Sequence, residues 1–156
     1  MKRGYKYRIY PTEEQKQYID LCIEGNVWFW NYALYKIDDH YNNTKKHLSA
    51  KYNIAKDLPI LKKEDKTSWL KQIDATSFIY TADNLDTAYK RFFDKVFDKP
   101  KHKKYEYSGS FTVQVNKKYV DTSVNFQKGF IVLPKCGEVK TIFHRRFTGV
   151  PKRFTI

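Results

Sequence analysis

The sequence predicts an α+β fold in which strands from the two ends of the chain come together around an inserted helical segment. Two observations carry this. The first is periodicity: residues 3–9 and the stretches after residue 110 read as short strands, whereas residues 12–99 carry apolar side chains at helical spacing. The second is charge. Residues 1–10 hold four basic and no acidic side chains, residues 11–100 hold 14 of each, and residues 101–156 hold 12 basic against 3 acidic. The entire net charge of +13 belongs to the strand-forming ends, which points to a polyanionic partner.

Taken in order, Tyr5, Tyr7 and Ile9 alternate with Lys6 and Arg8, the pattern of a half-buried strand over residues 3–9 with a basic outer face. Pro11 ends it. Thr12, with Gln15 three residues on, forms a capping box for a long helix. Tyr18, Leu21, Cys22, Gly25, Trp28, Phe29 and Tyr32 make one stripe of that helix; Trp30, Leu34 and Ile37 make a second, so it should be packed on two sides. Residues 42–66 are polar and lysine-rich, broken by Pro59, with little helical pattern. Thr67 or Ser68 can cap a short turn carrying Trp69, Leu70 and Ile73. A second strong helix follows, with Phe78, Ala82, Leu85, Tyr89, Phe92 and Val96 on one face, and Pro100 closes the insertion. Beyond the basic loop Lys101-His102-Lys103-Lys104, residues 110–115 read as a strand. Residues 130–133 and 138–143 flank Pro134-Lys135-Cys136-Gly137 as a hairpin, and a last strand is expected at residues 153–156. The expected division is a β-domain of residues 1–10 and 101–156 with an insertion of residues 11–100.

The composition excludes several chemistries. Cys22 and Cys136 are far apart with no paired spacing, so no structural zinc site is expected and a reducing, cytoplasmic setting is. No apolar run approaches the ~20 residues of a membrane span. A metal-dependent nuclease needs carboxylates converging from strand ends, and the ends offer only Glu106, Asp121 and Glu138. The four histidines have no triad or metal spacing; His40 and His47 flank a polar loop, while His102 and His144 sit in basic runs. No catalytic residue is assigned. What remains is a basic surface of Arg3, Lys6, Arg8, Lys101, Lys103, Lys104, Arg145, Arg146, Lys152 and Arg153, which would be shared if the ends pair.

At the level of motifs the chain resembles the N-terminal part of the TnpB/OrfB family of transposon-encoded, RNA-guided DNA nucleases related to type V CRISPR effectors. The resemblance rests on Tyr7-Arg8-Ile9-Tyr10-Pro11-Thr12 with Gln15, Asn31-Tyr32-Ala33-Leu34 and Thr67-Ser68-Trp69-Leu70. Its most specific stretch is Asn84-Leu85-Asp86-Thr87-Ala88-Tyr89-Lys90-Arg91-Phe92-Phe93, followed by Pro100-Lys101-His102-Lys103. Leu133-Pro134-Lys135-Cys136-Gly137-Glu138-Val139-Lys140 and His144-Arg145 complete it.

This resemblance implies an oligonucleotide-binding-like wedge β-barrel with a helical recognition insertion. It implies guide RNA on the wedge, at Arg3, Lys6, Arg8, Lys101, Lys103, Lys104, Lys135, Lys140, His144, Arg145, Arg146 and Lys152. It implies recognition of a short target-adjacent DNA motif at Asn53, Lys56, Ala75, Thr76, Ile79 and Thr112, base pairing reading the rest. Ala75 and Ile79 stand where relatives often carry Lys and Gln, Trp28 where Arg is common and His102 where Phe is common. An isoleucine can touch a thymine methyl but makes no bidentate contact to adenine. Relatives continue into a RuvC nuclease domain and a four-cysteine zinc element, to which magnesium and zinc would belong, so this chain is expected to be non-catalytic and cofactor-free, a truncated reading frame or an excised piece. Whether it competes with a full-length relative for RNA is left open by the sequence. A duplex-DNA-binding helix-turn-helix within residues 12–99 and a decayed transposase remnant are the alternative readings.

Overall fold

A computed structural model describes residues 1–105 and 109–156, with Lys117 described by its backbone alone. Glu106 therefore lies outside the described residues. The first strand, β1 (Arg8–Tyr10), leads through Pro11 into α1 (Glu13–Thr44), a helix of 32 residues and about 48 Å at ~1.5 Å per residue. The capping box is formed as expected: the Thr12 hydroxyl accepts from the Gln15 N–H at 3.3 Å, and the Thr12 N–H donates to Gln15 Oε1 at 2.9 Å. The same Gln15 amide then donates to the Glu138 carbonyl at 2.7 Å, which fixes the helix start against the C-terminal hairpin.

Past α1 the lysine-rich stretch is more ordered than its pattern suggests. A π-helical turn (Ala50–Ile54), a 3-10 turn (Ala55–Asp57) and α2 (Leu58–Leu61) bury Ala50, Ile54, Leu58 and Leu61. Pro59 sits in the first turn of α2, where its missing N–H costs nothing, so it starts a helix rather than breaking one. In the 3-10 turn Ser68–Gln72 neither Thr67 nor Ser68 caps: the Thr67 hydroxyl donates to the Leu61 carbonyl and the Ser68 hydroxyl to the Asp65 carbonyl. The second major helix, α3 (Ala75–Phe93), is capped by the Asp74 carboxylate on the Thr76 N–H. It ends three residues short of Val96 because Lys95 takes a left-handed φ of 60°, and the Val96 N–H closes back on the Arg91 carbonyl. Val96 is consequently exposed.

The remaining strands are β2 (Thr112–Gln114), β3 (Val124–Asn125), β4 (Phe130–Leu133), β5 (Gly137–Ile142) and β6 (Arg153–Thr155), with a 3-10 turn (Lys117–Thr122) before β3. They form two antiparallel sheets, β1-β5-β4-β3 and the ribbon β2-β6. The two ends of the chain do meet: Arg8 pairs with Ile142, Ile9 with Thr141 and Tyr10 with Lys140. β1 is shorter than the residue 3–9 alternation because β5 ends opposite Arg8, leaving residues 3–7 no neighbouring strand. Reciprocal bonds between Phe111 and Ile156, 3.2 and 3.0 Å, extend the ribbon by one pair beyond β2.

One apolar core runs through the insertion and the sheets. Phe29, Leu34, Ile37, Leu70, Ile73, Phe78 and Leu85 contribute from the helical side, and Val113, Leu133 and Val139 from the strands. Among the described residues no helix is long and apolar enough to cross a membrane.

Candidate nucleic-acid interface

Cross-strand register decides which cations share a face. Along β5 Val139 and Thr141 point inward while Lys140 and Ile142 point outward; along β1 Ile9 points inward and Arg8 outward. Because paired residues share a face, Arg8, Tyr10 and Lys140 lie on the outer face of one sheet. Lys6 and Arg3 continue from β1, and His144, Arg145 and Arg146 continue from β5, all exposed.

Among the described residues these end cations have no carboxylate partners. The three ion pairs among the described residues, Lys16–Glu13, Lys51–Asp83 and Lys99–Asp38, all lie within residues 11–100. All three therefore fall in the charge-balanced insertion, while Arg3, Lys6, Arg8, Lys101, Lys104, Lys140, Arg145, Arg146 and Lys152 are exposed.

The basic loop is held by α1. The Asn31 side chain grips Lys103 on both backbone groups, donating to its carbonyl at 2.8 Å and accepting from its N–H at 2.7 Å. Next to it Trp30 Nε1 donates to the Lys101 carbonyl at 2.9 Å. The Lys103 ammonium lies 4.0 Å from the centre of the Trp30 ring, and burial lowers its pKa from the ordinary lysine value. Lys101 and Lys104 remain exposed beside it. Sequence reasoning placed Lys103 correctly in the loop but missed Asn31 and Trp30 as its anchors. Trp30 and Asn31 stand side by side on the helix, which was the available signal.

Lys135 has a different environment from the other expected RNA contacts. At the tip of the β4–β5 hairpin its ammonium donates to the Lys71 and Ile73 carbonyls, at 3.0 and 3.3 Å, tying the hairpin to the insertion. Lys152 lies exposed where β6 begins, its carbonyl accepting from the Val115 N–H at 3.0 Å.

The expected DNA-motif residues separate into two groups. Thr76, in the first turn of α3, meets the ribbon directly: its hydroxyl accepts from the Gln114 N–H at 3.0 Å and donates to Asp74 Oδ1 at 2.6 Å. Thr112 is on that ribbon, sharing a 2.9 Å hydroxyl contact with Thr155. Ala75 and Ile79 are exposed on the same end of α3. Asn53 and Lys56 are exposed in the 50–57 segment instead, which is tied to α3 at Asp86, ten residues past Thr76 and about 15 Å along the helix at ~1.5 Å per residue. Asn53 Oδ1 accepts from the Ser49 N–H at 2.9 Å.

A narrow cleft of about 80 Å³ lies among α1, α3, the basic loop and the start of β2, lined by Asn26, Trp30, Tyr80, Asn84, Lys103 and Thr112 among others. Asn84 apart, the sequence stretch around it has structural work: Leu85 is fully buried, Asp86 holds residues 49–51, and the Tyr89 hydroxyl donates to Asp38 at 2.8 Å. Among the described residues no group of three His, Cys, Asp or Glu side chains could hold a metal ion.

No curated protein matches the chain. Residues 1–46, which include β1 and the whole of α1 with its C-cap Lys45, match the family model for the helix-turn-helix domain of OrfB from IS605. This N-terminal portion is therefore similar to a transposase-associated nucleic-acid-binding module.

Proposed function

We propose that the chain is the nucleic-acid-binding portion of a TnpB-like, RNA-guided transposon nuclease. Its basic ends grip a structured guide RNA, and the start of α3 with the β2–β6 ribbon borders the short DNA motif next to the target. The observation that supports this reading is the charge separation: among the described residues the end cations form no ion pairs, and the β1–β5 register puts Arg8 and Lys140 on one outer face, while residues 11–100 balance 14 basic against 14 acidic side chains. The match over residues 1–46 supports the transposase association. Thr76, Ile79 and Thr112, gathered where α3 meets the ribbon, would read the DNA motif, and Ile79 favours a thymine methyl over an adenine edge. Catalysis on this reading belongs to a nuclease partner domain, and the chain contributes binding.

The helix-turn-helix match favours a second reading, duplex-DNA binding by the helical segment. The balanced charge of residues 11–100 weighs against it, since phosphate neutralisation supplies most of the affinity for a duplex. The two are separated by purifying the chain from cells that carry its flanking DNA, washing at high salt, and sequencing the retained nucleic acid. A single structured RNA encoded beside the gene is the expected result. Retained duplex DNA without RNA would establish the second reading, and no retained nucleic acid would overturn both.

A further inference from the structure

The aromatic residues at the open end of the four-stranded sheet are not part of the main core. Tyr5, Tyr7, Phe126 and Phe147 gather instead in a surface cluster joined to the core through Phe143, 5.0 Å from Tyr7 and 4.8 Å from Phe126. Tyr5 lies 5.2 Å from Phe147 with planes 29° apart and 6.4 Å from Tyr7 with planes 9° apart, and Phe126 meets Phe147 edge-on at 5.0 Å. Two guanidinium groups lie across this cluster: Arg145 at 5.1 Å from the Tyr5 ring centre and Arg146 at 5.8 Å from that of Phe126. The Tyr7 hydroxyl donates to the Arg145 carbonyl at 2.9 Å, so the backbone that carries both arginines is fixed by the same cluster. Tyr5 is 37% exposed, and neither arginine is in an ion pair among the described residues.

We propose that the Arg145–Tyr5 pair is a stacking site for one unpaired base of a single-stranded nucleic acid, with Arg146 placed for the adjoining phosphate. The proposal rests on the nucleic-acid-binding reading above and adds to it a binding mode and four aromatic residues that the charge pattern does not identify. A guanidinium held over a ring is a planar cation, and that shape suits a base plane better than it suits a point carboxylate. Base stacking on aromatic or guanidinium planes is tolerant of sequence, so the site would select unpaired over paired nucleotides rather than one base over another. Holding Arg145 through its own carbonyl lowers the ordering cost of binding.

The test measures fluorescence anisotropy with three labelled probes: a uridine dodecamer, a thymidine dodecamer and a blunt RNA duplex of equal length. Tyr5→Leu should weaken both single strands by about 5- to 150-fold, the equivalent of roughly 1–3 kcal/mol for one stacked base, and leave duplex binding and the salt slope unchanged. Tyr5→Trp should retain single-strand affinity, and Arg146→Gln should make the salt slope shallower by about 0.7. A loss confined to the uridine strand would still support stacking and would identify RNA as the ligand. Tyr5→Leu and Phe147→Leu both binding single strands within twofold of the parent, with circular dichroism unchanged, would overturn the site. Duplex binding by the parent without any single-strand binding would overturn the site alone, whereas binding of no probe would overturn the nucleic-acid reading as well.

Discussion

Gly25 is where α1 packs closely against the short turn that precedes α3. A β-carbon there would overlap Ile73 Cδ1 and press on Trp69 and Leu70, and Ile73 is fully buried with nowhere to turn. Gly25→Ala gains up to about 1 kcal/mol of helix propensity, but overpacking costs roughly 1–3 kcal/mol and should prevail, giving a net loss of about 1 kcal/mol in urea unfolding. Ile73→Val removes the overlapping methyl, so the double variant should be more stable than the sum of the two single effects predicts. One residue on, Asn26 joins the same helices by hydrogen bonds: its amide donates to the Cys22 carbonyl at 2.8 Å and to the Ser77 hydroxyl at 3.0 Å, and accepts from the Thr81 hydroxyl at 2.7 Å. The sequence shows Gly25 as a member of an apolar stripe and conveys nothing of Asn26, because both roles depend on side chains about fifty residues away. The Thr12 capping box was legible because it closes within four residues.

Among the elements, the 50–57 segment depends most on a residue outside itself. Asp86 on α3 accepts from the Ser49 hydroxyl at 2.6 Å and from the Ala50 and Lys51 N–H groups at 2.6 and 3.1 Å, serving as a cap supplied by another helix. Asp86→Ala should cost about 1–3 kcal/mol and abolish hydrogen-exchange protection at the Ala50 and Lys51 amides, while amides in the middle of α1 stay protected. A cap from thirty-five residues away explains why residues 42–66 look unstructured in sequence and are not. The helices α1 and α3 and the β4–β5 hairpin were legible, since each follows from local periodicity. The extent of β1 was not, because a strand is only as long as its neighbour. In the basic loop, Lys101→Glu with Lys104→Glu should weaken RNA binding at least tenfold and leave the fold intact, since both side chains are exposed and the loop is held through Trp30 and Asn31. An affinity within twofold of the parent in the same anisotropy assay would remove this loop from the interface.

For the molecule as a whole, buried ionisable groups set an alkaline limit on stability. Burial pushes the Cys22 thiol from 9.0 up to about 12, and burial likewise raises the phenols of Tyr18, Tyr32 and Tyr89. Each of these groups stays protonated in the folded state at pH values where the unfolded chain ionises. Their contribution is therefore fully present below the unfolded pKa and lost as pH rises toward the folded one. Urea midpoints should be flat near neutrality and fall above about pH 9, by up to about 1.4 kcal/mol per pH unit for the thiol. Cys22→Ala should flatten the decline between pH 9 and 10, and an unchanged slope would assign the effect to other groups. The charge partition was the most legible property of the molecule, since it needs only counting. The strand register places Arg8, Tyr10 and Lys140 on one outer face, the pairing of the two ends on which the expected shared surface depends.

The most direct measurement is the salt dependence of RNA affinity for the whole chain, read as log Kd against log salt between ~50 and 200 mM. If the unpaired cations of both ends form one interface, at least six phosphate contacts at about 0.7 each give a slope of magnitude about 4 or more. A magnitude below about 1 would contradict the account, because binding would then not be carried by the charges that the fold collects.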